Sequence, residues 1–230
     1  MLISATAALL VAFGQTGAGD AGRLAEAQRL DACIAKIGEN PEEAYEDGLA
    51  WINEGARPFA RQCTALALVE LGHAAEGAAR LEELANAEDG GSLGQRVIYL
   101  TQSGNAWLVA GQPAAALVTL NNAIRLSPQD PELKADRAAA FMELGKWGEA
   151  QSDLNEALIG LPSDSAILKM RAETRLNLND LSGAENDVAR AISLNAEDID
   201  AYVLRGRVRE ARRIQSEEGP PPDLLIRADR

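Results

Sequence analysis

Between residues 97 and 198 the pattern of apolar and polar positions repeats itself: segments 97–130, 131–164 and 165–198 align without gaps at a spacing of 34 residues. Within each segment the apolar residues recur at helical spacing twice over, giving helix, tight turn, helix, short turn. The turn holds Gly111, Gly145 and Asn179 in register, residue types that tolerate the left-handed backbone at a helix end. Further on, Ala116, Ala150 and Ala184, then Ala123, Ala157 and Ala191, fall on one side of the second helix. Small side chains there allow close helix approach, and Leu120, Leu154 and Val188 between them supply apolar filling. Pro128 and Pro162 end the first two segments, with Ala196 in the third.

Carried backwards, the register places Gly72, Leu71 and Leu81 in a segment 58–91, and Gly38 and Ala50 in a segment 24–57. These two are less regular: Gly77 and Glu43 stand at the first alanine position, and Leu84 at the second. Five inserted residues, Ser92 to Arg96, offset them from the rest and predict a slight break in the stack. Forwards, residues 199–213 begin a further segment through Tyr202 and Gly206, and no second helix follows before Gly219 and three prolines. They read as a lone capping helix, and residues 214–230 as a flexible tail.

The Gly, Ala, large apolar, Ala, Pro series resembles the tetratricopeptide repeat, as do Trp107 and Phe141 at the aromatic place of the first helix. Arg175 departs from it, standing where an aromatic is usual. The resemblance implies an all-α fold, an α-solenoid of stacked antiparallel helix pairs over residues 22–213. Each pair exposes an apolar face that only its neighbours can bury. A second ladder, Arg137, Arg171 and Arg205 with Asp153 and Asp187, predicts ion pairs between first and second helices; spacing leaves open whether Asp153 meets Arg137 or Arg171.

Composition agrees with helices: hydrophobic residues make up 47% of the chain and aromatics only 4%, with Ala and Leu dominant. A formal charge of −13 argues against nucleic acid as the main partner, so none is expected. The acidity lies in residues 1–198, with 15 basic against 29 acidic side chains, whereas 199–230 carry 7 against 6. Arg205, Arg207, Arg209, Arg212 and Arg213 crowd the capping helix. Leu2 to Phe13 form an uncharged apolar run before a small, polar stretch, the outline of a signal peptide over residues 1–21, cleaved near 18–21, although no Lys or Arg precedes it. The expectation is an exported, periplasmic protein with no stable membrane insertion after signal removal, and a cytoplasmic one as the alternative.

Candidate chemistry is sparse. Gly17, Gly19 and Gly22 spell a GxGxxG, but residues 23–57 show helical periodicity and not the strand a dinucleotide site requires. His73 is the one histidine and falls in an inter-helix turn; a Cys63–His73 dyad would lack an orienting third group. No enzyme, metal or cofactor is expected. Cys33 and Cys63 form a possible disulfide if the protein is exported. Their spacing, one repeat less one helical turn, points both to similar sides of their helices, so they need not meet.

The family resemblance further implies a concave groove lined by first helices that holds a protein or peptide partner. By that geometry the groove includes Phe59, Gln62, Leu66, Val69, Ile98, Thr101, Asn105, Leu108, Met142, Lys169 and Glu173. Some members of the family clamp a terminal carboxylate with Lys and Asn; here Asn105 follows Thr101 in place of Lys, which disfavours a clamp. The function expected is a non-enzymatic interaction scaffold. The alternative is an assembly subunit of a cell-envelope complex, docking through its convex face or Arg-rich cap.

Overall fold

The computed structural model describes residues 17–55 and 57–218. Among them the chain forms eleven helices and no strand. They pair as α1 (Gly17–Glu39) with α2 (Pro41–Asn53), α3 (Pro58–Glu70) with α4 (Ala74–Asn86), and α5 (Leu93–Val109) with α6 (Pro113–Leu126). Next come α7 (Pro131–Glu143) with α8 (Trp147–Gly160), α9 (Ser165–Asn177) with α10 (Leu181–Leu194), and the unpaired α11 (Ile199–Glu218). Prolines open α2, α3, α6 and α7, where a missing N–H costs nothing. Side chains of Asn40, Ser92, Asp130, Asp164 and Asp180 cap the helices that follow them.

The turn inside each pair is built the same way four times. Gly72, Gly111, Gly145 and Asn179 have φ of 84°, 68°, 67° and 59°. The next residue's N–H closes on a carbonyl five residues back, as in His73 to Leu68 and Lys146 to Phe141, both at 2.8 Å. The alanine positions are equally regular: Ala116, Ala150, Ala184, Ala123, Ala157 and Ala191 are all 0% exposed, as are Leu120, Leu154 and Val188. At Gly77 a Cβ would lie 2.6 Å from the Ala65 carbonyl oxygen, so α3 and α4 approach too closely even for alanine.

Three expectations are corrected. In the first pair Gly38 is helical, and the buried series is Ala44, Gly48 and Trp51, with Ala50 exposed. The second helix there is one residue out of the expected register, because α2 starts at Pro41 directly after its cap Asn40. The insertion at 92–96 makes no break: it lengthens α5 to 17 residues, and α5 packs closely against α4. Arg96 seals the joint, donating to the carbonyls of Ala85 at 2.5 Å and Ala87 at 2.7 Å, which α4 leaves open at its C-terminus. Finally α11 continues to Glu218, five residues beyond the predicted cap; residues 219–230 lie outside the described residues, as do residues 1–16 of the expected signal peptide. The glycines of the GxGxxG, together with the expected cleavage region, fall inside α1.

Each helix packs on the next, and successive first helices (α1, α3, α5, α7, α9, α11) also touch one another; among the described residues no comparable contact joins successive second helices. First helices therefore form the short inner rail of a curved stack and second helices its outer side. Between them runs a chain of small apolar clusters, each shared by adjacent pairs, such as Ala138, Leu154, Ile167 and Ala191 across α7 to α10.

Candidate peptide-binding groove

The inner rail is fastened link by link. Cys33 of α1 and Cys63 of α3 form a disulfide with their Cα atoms 6.0 Å apart. Leu30, Cys33 and Ile37 cluster with Ala60, Cys63 and Ala67, so the two helices pack thirty residues out of step and bring together cysteines on corresponding sides. From α3 to α5, Gln62 Nε2 donates to Gln102 Oε1 at 2.8 Å. From α5 to α7, Asn105 Nδ2 donates to Asp136 Oδ2 at 3.4 Å. From α9 to α11, Arg207 grips Glu173 with both terminal guanidinium nitrogens, Nη1 and Nη2, the latter at 2.8 Å, while Lys169 meets Asp198 just before α11 at 2.6 Å.

Of the polar residues expected to face a ligand, Gln62, Asn105, Lys169 and Glu173 are thus engaged with the next first helix or the turn before it. Gln62 is buried at 2% exposure, and the Thr101 hydroxyl donates to its own helix at the Val97 carbonyl. The apolar residues divide. Leu66 packs against the cores on both sides of α3, and Leu108 against Leu120 and Ala140. Val69 is half-buried against α4, near Gly77. Ile98 stands 46% exposed, and Phe59 and Met142 each line a cavity.

The first of these cavities is lined from α1, α3 and α5, the second from α7, α9 and α11. One, of about 430 Å³, sits at the N-terminal ends of α3 and α5 among Phe59, Gln95, Tyr99, Arg57 and Glu26. The other, of about 350 Å³, lies between α9 and α11 over a floor of Met142, Met170, Val203 and Leu204, with Lys169, Glu173, Asp200 and Arg207 around it. Sequence reasoning missed the α11 contribution because that helix was read only as a cap. Yet Val203 and Arg207 lie 34 residues after Lys169 and Glu173, so one more step of the same register reaches them.

The middle of the rail is acidic. Burial pushes the Asp136 carboxyl up to about 6, against the lowering hydrogen bond from Asn105, and nearby Glu132 and Asp130 push the same way as burial. With its amide directed at Asp136, Asn105 is poorly placed to receive a terminal carboxylate.

Outside the rail, the arginine–aspartate ladder is resolved. Arg137 holds Asp153 of its own pair at 2.7 Å through both Nε and Nη2, and reaches back to Asn121 of the preceding pair at 2.8 Å. Arg171 repeats this with Asp187 and Asn155. Arg175, at the aromatic place, adds a 2.7 Å contact to Asp187 and a 3.2 Å bond to the Gly183 carbonyl, so an ionic clamp replaces ring packing. His73 stands at the start of α4 in its turn. Among the described residues no group of three or more His, Cys, Asp or Glu is placed to hold a metal. No helix there is long and apolar enough to cross a membrane.

Residues 108–173 match the tetratricopeptide repeat family. RNA polymerase II-associated protein 3 of Xenopus laevis is 31% identical over 108 residues, covering 46% of this chain and 16% of that protein. The chain thus spans under a fifth of this relative. Among solved structures, TTC0263, a thermophilic tetratricopeptide repeat protein of Thermus thermophilus, is 22% identical with a TM-score of 0.59, covering 81% of this chain and 98% of the other. MamA (41-end) of Desulfovibrio magneticus RS-1 is 16% identical with a TM-score of 0.60, covering 76% and 95%. These two show the fold alone. Repeat register, turn geometry and family match agree: residues 108–173 carry tetratricopeptide repeats, and the described residues have the fold of a tetratricopeptide repeat solenoid.

Proposed function

We propose that this protein is a non-enzymatic scaffold that binds an extended or helical segment of a partner protein along the inner rail, anchored by apolar side chains. The observation that carries this reading is the division of labour on that face: Gln62, Asn105 and Glu173 are tied to neighbouring repeats, while Ile98 and the floor of the α9–α11 cavity, Val203 included, stay open. An apolar anchor seated on Met142, Met170 and Leu204 gains the burial that drives association, and the mixed charges at the rim fix its orientation. Asp136 with its acidic neighbours disfavours a segment that ends there in a carboxylate.

The Cys33–Cys63 disulfide suits an oxidising compartment, in keeping with an exported protein. The test is selection of binding peptides from a random display library on the full chain, followed by affinity measurement on Ile98→Glu and Val203→Glu. Both side chains are exposed, so the fold tolerates the changes. Peptides rich in apolar residues that lose about tenfold or more in affinity on either variant support the groove. Peptides that bind both variants as tightly as the parent chain remove it.

A further inference from the structure

Helix α11 has the surface of a first helix and, among the described residues, no second helix to cover it. In the 34-residue register Gly206 follows Gly104, Ala138 and Ala172. At those places the first helix meets its own second helix. Ala138 and Ala172 are 0% exposed, and a Cβ on Gly104 would lie 2.6 Å from the Leu120 side chain of α6. At Gly206 a Cβ would meet nothing within 4 Å. One turn earlier, Tyr202 is 39% exposed where its counterpart Leu168 is 0%, and Ile199 at the helix start is 76% exposed.

Charge on this face follows the same register. Arg205 and Arg209 occupy the places of Arg171 and Arg175, the two side chains that hold the Asp187 carboxylate. The other three arginines of α11 are paired, Arg207 with Glu173, Arg212 with Glu185, and Arg213 with Glu210 and Glu217. Arg205 and Arg209 have no carboxylate partner among the described residues; Arg205 lies instead over the Tyr202 ring, 4.7 Å from its centre. In a chain of net charge −13, two adjacent unpaired arginines beside a small, partly apolar seam make a surface complementary to one thing in particular. We propose that α11 is an open half-repeat, and that a partner protein's acidic amphipathic helix lies antiparallel along its Tyr202–Gly206 face with a carboxylate between Arg205 and Arg209.

The occupant's pattern is legible in α10, which fills the equivalent place one repeat earlier. There Ala184 and Val188 pack on Ala172 and Leu176, with Asp187 between the two arginines. A second copy of the chain docking by the same face would set Arg205 and Arg209 against their own equivalents, which like-charge repulsion opposes. This surface lies outside the inner rail, so the inference stands independently of the peptide groove.

The probe is a fluorescent, helix-stapled peptide carrying the α10 sequence, residues 180–194, with the staple on its solvent side, since an unstapled helix of this length is marginal in water. Its affinity is measured by anisotropy against the full chain, against R205A/R209A, and against R212A. Binding that weakens by about tenfold or more in R205A/R209A, weakens similarly when the probe carries Asp187→Asn, and stays within about twofold in R212A supports the proposal. Absence of binding, or binding indifferent to both changes, overturns it. Two further results also overturn it by naming another occupant. One is Arg-dependent binding that appears only once residues 219–230 are removed, which assigns the seat to the chain's own tail. The other is a dimer of the unliganded chain, seen by sedimentation, that dissociates in R205A/R209A.

Discussion

Arg171 holds Asp187 through two parallel hydrogen bonds, Nε to Oδ2 at 2.8 Å and Nη2 to Oδ1 at 2.7 Å, with the carboxylate only 2% exposed. Arg175 adds a third contact to the same group. Removing the carboxylate therefore strands two guanidinium groups at a helix interface. Asp187→Ala should lower unfolding free energy by about 3 kcal/mol or more, because breaking a buried pair leaves a charge uncompensated. Glu210→Ala, which cuts an exposed pair with Arg213, should leave the unfolding free energy nearly unchanged. Urea unfolding of both variants checks the contrast; equal losses would show that the clamp has no special weight.

The alanine positions set how closely helices approach. Ala150→Leu should cost about 1 to 3 kcal/mol by overpacking between α7 and α8. The first repeat supplies a sharper comparison, since its buried positions are Ala44 and Trp51, each one residue past the Glu43 and Ala50 that the register of the regular repeats indicates. Ala44→Leu should therefore destabilise like Ala150→Leu, whereas Ala50→Leu should stay within about 0.5 kcal/mol. Thermal melts of the pair decide which register the first repeat uses.

Asp136 makes the stability pH-dependent. Its carboxyl titrates at about 6 in the folded chain, against about 3.9 when unfolded. Between those values the native state retains a proton that the unfolded state has released. The contribution is fully present below about pH 4 and is lost as pH rises through 6. Asp136→Asn should remove this slope and stabilise the chain at pH 7 by an amount on the order of 2 kcal/mol. Chemical unfolding at pH 4, 5, 6 and 7 for parent and variant measures it; parallel curves would place the titration elsewhere.

The Cys33–Cys63 bond closes a loop of 30 residues between α1 and α3. Cys33→Ser with Cys63→Ser should cost about 3 to 4 kcal/mol on the chain-entropy estimate. In a stack held by neighbour interfaces the loss should concentrate in the first repeat. Amide exchange that accelerates in α1 and α2 and leaves α7 to α10 unchanged is the expected signature. A uniform acceleration would show that the array unfolds as one unit.

Much of this architecture is legible in the sequence because a period of 34 residues repeats both the turn and the packing. Gly111, Gly145 and Asn179 mark backbone positions that need positive φ, and Ala116, Ala150 and Ala184 mark volumes that admit no larger side chain. What the pattern hides is register where the period changes. The one-residue slip at Ala44 and the lengthening of α5 past Ser92 depend on where a cap nucleates a helix, and Asn40 and Ser92 are individual residues that no periodicity marks. The inner face was half legible for another reason. Position in the repeat places Gln62, Asn105 and Glu173 on the inner face, but it does not say that Gln102, Asp136 and Arg207 of the next first helix engage them.

The most direct test of the inner rail as the binding surface is amide hydrogen exchange on the full chain with and without a display-selected peptide at saturating concentration. Ligand-induced protection in α5, α7, α9 and the first turns of α11, with α6, α8 and α10 unchanged, is the result expected of a ligand lying along first helices. Protection confined to α6, α8 and α10 would put the ligand on the outer side and contradict the proposed function.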